Sequence, residues 1–244
     1  MESKFKLTVE ENIFVAKRNI VDYIWKSANL EGINITFPET NAIFEGMGVE
    51  SVKVDDIVKI NNMKRTWSFM LDTLDRLTDF DYMCRLNMII GSDGSIFGSG
   101  KIRAYDVKNS GTKWQPQIPF EYDIRNEIAD ILLIESPTDR AITLMLWGMR
   151  RQVFIDGNKR TAMMLANKEM ITNGCGIISI PNELIRKFGE LLIAFYETND
   201  MSNIKQFVYD ECIDGIDMRM QERIEREKSI SLEKSDEQFG MKME

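Results

Sequence analysis

The sequence predicts a mainly α-helical bundle carrying a small β-hairpin flap. Three observations lead there. Apolar residues recur at helical spacing through most of the chain, and the run from Thr138 to Met149 is apolar nearly all round, as a helix in the middle of a bundle should be. Only between Gly91 and Pro119 is that period lost, where Gly, Ser, Asp and Asn gather.

Each element has its own signal. Thr8 and Glu11 stand at capping-box spacing, and Ile13, Phe14, Ala16, Ile20, Val21, Ile24 and Trp25 carry one helix on to Gly32. A short helix enters through Pro38 and closes at Gly46. Asp55 is placed to cap a longer helix whose apolar face includes Ile60, Met63, Trp67 and Met70, and Phe80 to Ile90 forms the next. Ile102 to Val107, followed by Asn109-Ser110-Gly111, reads as an extended segment entering a turn, which makes the flap. Asp123 to Ile134 is amphipathic, the apolar helix follows Pro137, and further helices run over 158–173 and 182–198. Beyond Gly215 the chain is charged and poor in large apolar residues, which predicts a solvated helix fraying into a disordered tail.

Composition narrows the function. With 244 residues, 43% of them apolar, the chain can build one domain with a deep core and a tail. Its net charge of −8 and the absence of a dense basic run exclude nucleic acid as an expected partner. Cys84, Cys175 and Cys212 are widely spaced, and with no histidine in the chain they cannot complete a zinc set; they read as buried apolar residues in a reducing compartment. The first residues lack the apolar region of a signal peptide and no stretch is long enough to span a bilayer, so a cytoplasmic protein without a membrane partner is expected. The 16 methionines read as core filler, as does Trp147.

Chemistry concentrates in Gln152-Val-Phe-Ile-Asp-Gly-Asn-Lys-Arg-Thr-Ala162. Gly157 and Asn158 precede a helix whose first turn carries Lys159 and Arg160, so unpaired N–H groups and the positive end of the dipole converge on the loop. Gly157 permits close backbone approach and Arg160 offers a planar fork for phosphate oxygens. Asp156 adds a hard carboxylate suited to Mg²⁺ held partly by phosphates. Together these imply Mg²⁺–nucleotide binding; the plainer reading of Asp-Gly-Asn-Lys is a polar turn in which Asn158 caps a helix. Arg150 and Arg151 either help attract phosphate or answer the dipole at a helix end.

This loop resembles the signature of the Fic/Doc (Fido) family, His-x-Phe-x-Asp/Glu-Gly-Asn-Gly/Lys-Arg, in every fixed place except the first, where Gln152 stands for the histidine. Gly100-Lys-Ile-Arg103 with Asp106-Val-Lys and Gln115-Pro116 resembles the family's segment leading into its flap, and Thr161 to Asn167 resembles the helix after the motif. The resemblance covers residues 33–195 or so. It implies a Fic-type bundle that transfers AMP from ATP with Mg²⁺ to a hydroxyl of a target protein aligned along the flap at about 102–116. It assigns the metal to Asp156, the nucleotide phosphates to Gly157, Asn158, Lys159 and Arg160, and a structural anchor to Phe154.

Three departures qualify that activity. The amide of Gln152 has no basic nitrogen, so it can orient a hydroxyl without taking its proton, and only Asp, Glu, Lys or Tyr could replace the base. Met163 stands where AMP-transferring relatives often place a second arginine, and Lys159 is shared with the Doc-like phosphotransferase branch. The segment Asn41-x-x-x-Glu45-Gly46 resembles the family's inhibitory helix, Ser/Thr-x-x-x-Glu-Gly/Asn, making Glu45 the candidate inhibitory residue. The expected organisation is an N-terminal helix at 1–32, an inhibitory-helix-like segment at 33–50, a Fic-like domain at 51–215 and a charged tail at 216–244. The expected function is a Mg–nucleotide-binding protein adenylyltransferase of weakened or altered activity. The alternatives are an inactive Fic-like binding or regulatory module and a Doc-like phosphotransferase.

Overall fold

A computed structural model describes residues 1–108 and 111–216. Ten α-helices lie among them, with one pair of two-residue strands. The expected first helix is two: α1 (Val9–Arg18) opens on the Thr8–Glu11 capping box, and α2 (Ile20–Leu30) restarts after Asn19. Asn19 leaves the helical region at φ −108°, ψ 12°, and its side chain turns toward the Tyr23 hydroxyl, the local competition with the helix ladder to which asparagine is prone. The Thr36–Glu39 capping box and Pro38 start α3 (Phe37–Phe44), as expected.

α4 (Val54–Asp72) begins two residues earlier than Asp55 would allow as a cap; Lys53 holds that place, and Asp55 and Asp56 sit in the first turn, where the dipole favours them. Asp79 caps α5 (Phe80–Ile90). After the irregular stretch come α6 (Glu121–Leu132) and α7 (Pro137–Arg151), the latter capped by Ser136. α8 (Asn158–Thr172) is buried along almost its whole length, and α9 (Ile185–Thr198) is entered through a 3₁₀ turn at Asn182–Leu184. α10 (Ser202–Glu211) has no side-chain cap and was not anticipated.

α7 and α8 form the central pair. Gly148 sets their approach, since a Cβ there would stand 2.9 Å from that of Ala162. One apolar cluster gathers α1 to α5 against α8, and a second fills the space between α7, α8, α9 and α10. Buried polar groups of α8 are satisfied: Asn167 bonds both the N–H and the carbonyl of Ile178, and Lys168 donates to the Arg76 carbonyl at 2.7 Å.

The strands are β1 (Ile177–Ile178) and β2 (Ile213–Asp214), antiparallel, with Ile177 opposite Asp214 and Ile178 opposite Ile213. No strand forms at 102–116 among the described residues, so the hairpin expected there is corrected to an irregular loop. The cause is Arg103, only 2% exposed. Its guanidinium takes the carbonyls of Tyr105, Pro116 and Gln117, acceptors that a ladder would need. Asn109 and Ser110 of the expected turn, and the tail beyond Ile216, lie outside the described residues.

The N-terminal helices are tied to the far end of the domain. Leu7 N–H donates to the Gly174 carbonyl at 2.9 Å, the Asn12 amide brackets Gly176, and the Tyr23 hydroxyl donates to Asp214 at 2.7 Å. Burial first, and the Asp214 carboxylate second, hold the Tyr23 phenol above its ordinary value. A phenol with a raised folded pKa contributes stability that is complete below the unfolded value of about 10 and is lost as pH rises beyond it. Tyr23→Phe should therefore cost about 1 kcal/mol at neutral pH. It should also make the decline above pH ~10 shallower than in the parent, as read from urea unfolding at stepped pH; an unchanged alkaline slope would rule out this contribution.

Candidate functional site

The loop joining α7 to α8 is built by side chains that bond to its own backbone. α7 stops at Gln152, which turns left-handed at φ 49°, ψ 59°. The Asn158 side chain closes the loop on itself: Oδ1 accepts from Phe154 N–H at 2.9 Å, and Nδ2 donates to the Phe154 carbonyl at 2.8 Å. Phe154 is 1% exposed and sits in the core. From outside, Arg103 donates through Nε to the Gln152 carbonyl at 2.6 Å and its N–H bonds the Val153 carbonyl. The buried Asn87 of α5 donates to the Asp156 carbonyl at 3.0 Å and accepts from Gly100 N–H.

Gly157 caps α8 at φ +77°. A Cβ there would press to 3.0 Å from Ile96 and 3.1 Å from the Asn87 amide, so both conformation and space require glycine. Having no side chain, Gly157 leaves the first N–H groups of α8 without a capping acceptor, and the helix ladder begins with Thr161 N–H bonding the Gly157 carbonyl. Asn158 is thus the first residue of the helix and not its cap.

The carboxylate that meets both Lys159 and Arg160 at this helix start is not Glu45. Glu31, the residue that ends α2, lies 3.1 Å from Arg160 Nε and 3.2 Å from Lys159 Nζ. Arg160 is 6% exposed and the Glu31 side chain 15%, so the pair is largely withdrawn from water. Asp156 is 3.7 Å from Arg160 but 64% exposed, at the mouth of the site. Glu45 is exposed at the end of α3 and pairs with no basic group among the described residues. Sequence reasoning missed Glu31 although its signal was present: Ser27-Ala-Asn-Leu-Glu31-Gly32 meets Ser/Thr-x-x-x-Glu-Gly/Asn in every fixed place, whereas Asn41 misses the first.

A cleft of about 410 Å³ opens over this loop, with Glu31, Lys108, Gln152, Asp156, Lys159 and Tyr196 on its walls. Gln152 spends its amide inward: Nε2 donates to the Met149 carbonyl at 2.6 Å, and Oε1 accepts from Asn158 Nδ2 at 3.1 Å. Tyr196 donates to the same Met149 carbonyl, and burial holds its phenol above the ordinary range, so it remains protonated and cannot serve as a base near neutrality. Met163 is buried and apolar at 7% exposure. Arg150 and Arg151 turn away from the loop, toward the Tyr196 carbonyl and Glu127, and Trp147 is half-buried with its N–H on Glu127.

No family model matches the chain, and no curated protein does. Solved structures do. Over 80% of this chain a Fic-1 fragment from C. elegans superposes with a TM-score of 0.68 at 20% identity. A Fic-domain-containing signalling protein from Bacteroides thetaiotaomicron reaches 0.68 at 18% identity over 83% of the chain. The chain has the Fic fold. A Fic family protein from Desulfovibrio desulfuricans agrees, with a TM-score of 0.63 at 14% identity. The chain spans 61% of the Fic-1 fragment and 85% of the Bacteroides protein. Among the described residues the strands lie at 177–178 and 213–214 and none in the loop over the cleft, and no helix is long and apolar enough to cross a membrane.

Proposed function

We propose that the chain is a Mg²⁺–nucleotide-binding Fic-fold protein, related to enzymes that transfer AMP to protein hydroxyls, whose anion site is held shut by Glu31. The observation that carries this reading is the Glu31 carboxylate itself. An anion of the chain already occupies the positive corner formed by Lys159 and Arg160 at the uncapped start of α8. Phosphate oxygens present the same chemistry with more charge, and withdrawal of Glu31 would free Arg160 to receive them.

The chain's own groups divide the work. Arg160 and the first N–H groups of α8 hold phosphates, and Lys159 adds charge at the rim. Among the described residues no three Asp, Glu, Cys or His side chains cluster as a ready-made metal cage. One exposed carboxylate, Asp156, does suit Mg²⁺, which takes one or two carboxylates and completes its shell with phosphates and water. When bound, that ion supplies charge neutralisation along the phosphate chain. Gln152 orients the loop and has no basic nitrogen with which to accept a proton. A target protein's backbone would lie along the segment at about 102–116.

Titration calorimetry with ATP, ADP and GTP, with and without Mg²⁺, tests the reading. Metal-dependent binding of at least one nucleotide is expected, and Asp156→Ala should remove the metal dependence. Absence of binding by all three at millimolar concentration, in a protein also lacking the Glu31 carboxylate, would exclude it. A second reading, a binding or regulatory module without turnover, is favoured by one observation: both ends of the Gln152 amide are engaged, one on the Met149 carbonyl of α7 and the other on Asn158. The ATP and GTP arms, followed by intact mass, also separate AMP transfer from the phosphoryl transfer of a Doc-like enzyme.

A further inference from the structure

A second and larger cleft, of about 630 Å³, lies on the other side of the end of α7, between the 114–117 segment, α6 and α9. Its size falls in the range that small-molecule sites occupy, roughly 300–1,000 Å³. Trp114, Trp147, Arg150 and Arg151 are among the residues that line it.

Arg150 is the informative residue. Its guanidinium lies 4.5 Å from the centre of the Trp114 ring and 5.7 Å from that of Phe195, a stacked position. Nε and Nη2 both donate to one acceptor, the Tyr196 carbonyl, at 3.2 and 3.1 Å. No carboxylate pairs with it among the described residues, and Nη1 has no acceptor there. Burial pushes its pKa down, the response of a cation without a counter-charge. Arg151 differs: Glu127 balances it at 3.0 Å, and Glu127 also accepts from the Trp147 N–H. The remaining acid, Asp130, is exposed at the rim. With Arg151 and Glu127 cancelling, Arg150 is the lining cation that no carboxylate pairs among the described residues, held against the Trp114 and Phe195 rings.

We propose that this cleft is a binding site for a small, flat aromatic monoanion, an aryl carboxylate, whose carboxylate meets Arg150 Nη1 and whose ring lies between Trp114 and Trp147. A monoanion fits because one charge is unbalanced and Asp130 disfavours more. The site is separate from the nucleotide cleft and does not depend on the function proposed for it. Tyr196 lines the nucleotide cleft and touches this one only through its carbonyl, which accepts from Arg150, while its hydroxyl donates to the Met149 carbonyl of α7.

Naphthalene-2-carboxylate is the probe, followed by calorimetry and by saturation-transfer NMR on the full chain. Millimolar or tighter binding is expected, weakened about tenfold or more by Arg150→Gln and by Trp114→Leu. Naphthalene-2-carboxamide, which has the ring without the charge, should bind at least about tenfold more weakly, and Arg160→Gln should leave carboxylate binding unchanged. Two variants are used so that a folding failure of one leaves the other to decide. Absence of binding to the parent overturns the proposal. So does binding insensitive to both variants, equal binding of the amide, or loss through Arg160→Gln, which would place the carboxylate in the nucleotide cleft.

Discussion

Glu31→Gln should raise the affinity for Mg²⁺–ATP by about ten- to a hundredfold. The substitution keeps the shape at the end of α2 and removes only the charge that faces Arg160 at 3.1 Å and Lys159 at 3.2 Å. A nucleotide binding the parent protein must first displace that carboxylate, and charge-assisted bonds of this kind are worth about 1.5–3 kcal/mol each. Each 1.4 kcal/mol is about a factor of ten in Kd, which sets the range. Glu45→Gln is the matched control, since Glu45 is exposed and touches neither basic group. Calorimetry showing no gain for Glu31→Gln, or the same gain for both variants, would remove Glu31 from the inhibitory role.

Gln152→His, introduced together with Glu31→Gln, should raise self-modification by about a hundredfold or more, because a positioned general base contributes roughly 10²–10⁴ in rate. The backbone at this position is already set: Arg103 clamps the Gln152 carbonyl at 2.6 Å, and the left-handed conformation turns the chain into the loop. An imidazole there supplies the basic nitrogen that the amide lacks. The readout is intact mass during incubation with Mg²⁺–ATP, where one added AMP group marks adenylyl transfer and one added phosphoryl group marks the Doc-like reaction. If calorimetry shows nucleotide bound and no mass is gained, the non-catalytic module becomes the better reading.

The helices most readable in the letters were those with caps and a strong period. Asp79 before Phe80 and Pro137 before the apolar run placed α5 and α7 closely. Asn19 did not betray the break between α1 and α2, because the apolar positions on either side keep a helical spacing and the interruption rests on the Asn19 side chain turning toward the Tyr23 hydroxyl. α10 has Met201 at its cap position and no capping hydrogen bond, so nothing announced it. Polarity in the 91–119 stretch suggested a surface hairpin, yet its Arg103 is buried and its carbonyls are committed to that one side chain.

At the site, the anion-binding half was legible because it is local: Gly157, Asn158, Lys159 and Arg160 are consecutive, and the start of a helix positions them together. The carboxylate that meets them lies on another helix, far along the chain: the Glu31 segment fits the short pattern fully and the Glu45 segment only in part, and the fold brings the first of them to the loop. The inward direction of Gln152 was equally hidden. It follows from the left-handed turn at the end of α7 and from Asn158 lying within reach, neither of which a motif reports.

The closed circuit of bonds around Asn158 has a thermodynamic consequence. Because Phe154 N–H and the carbonyls of Phe154, Gln152 and Asp156 are already bonded to side chains, the loop has little conformational freedom left to lose when an anion arrives. Amide hydrogen exchange at Phe154 should then be slow in the ligand-free protein and change little on nucleotide addition, while α2 near Glu31 takes up the change. The cost of opening would fall on the helix that carries the inhibitor, leaving the phosphate cradle itself a fixed template.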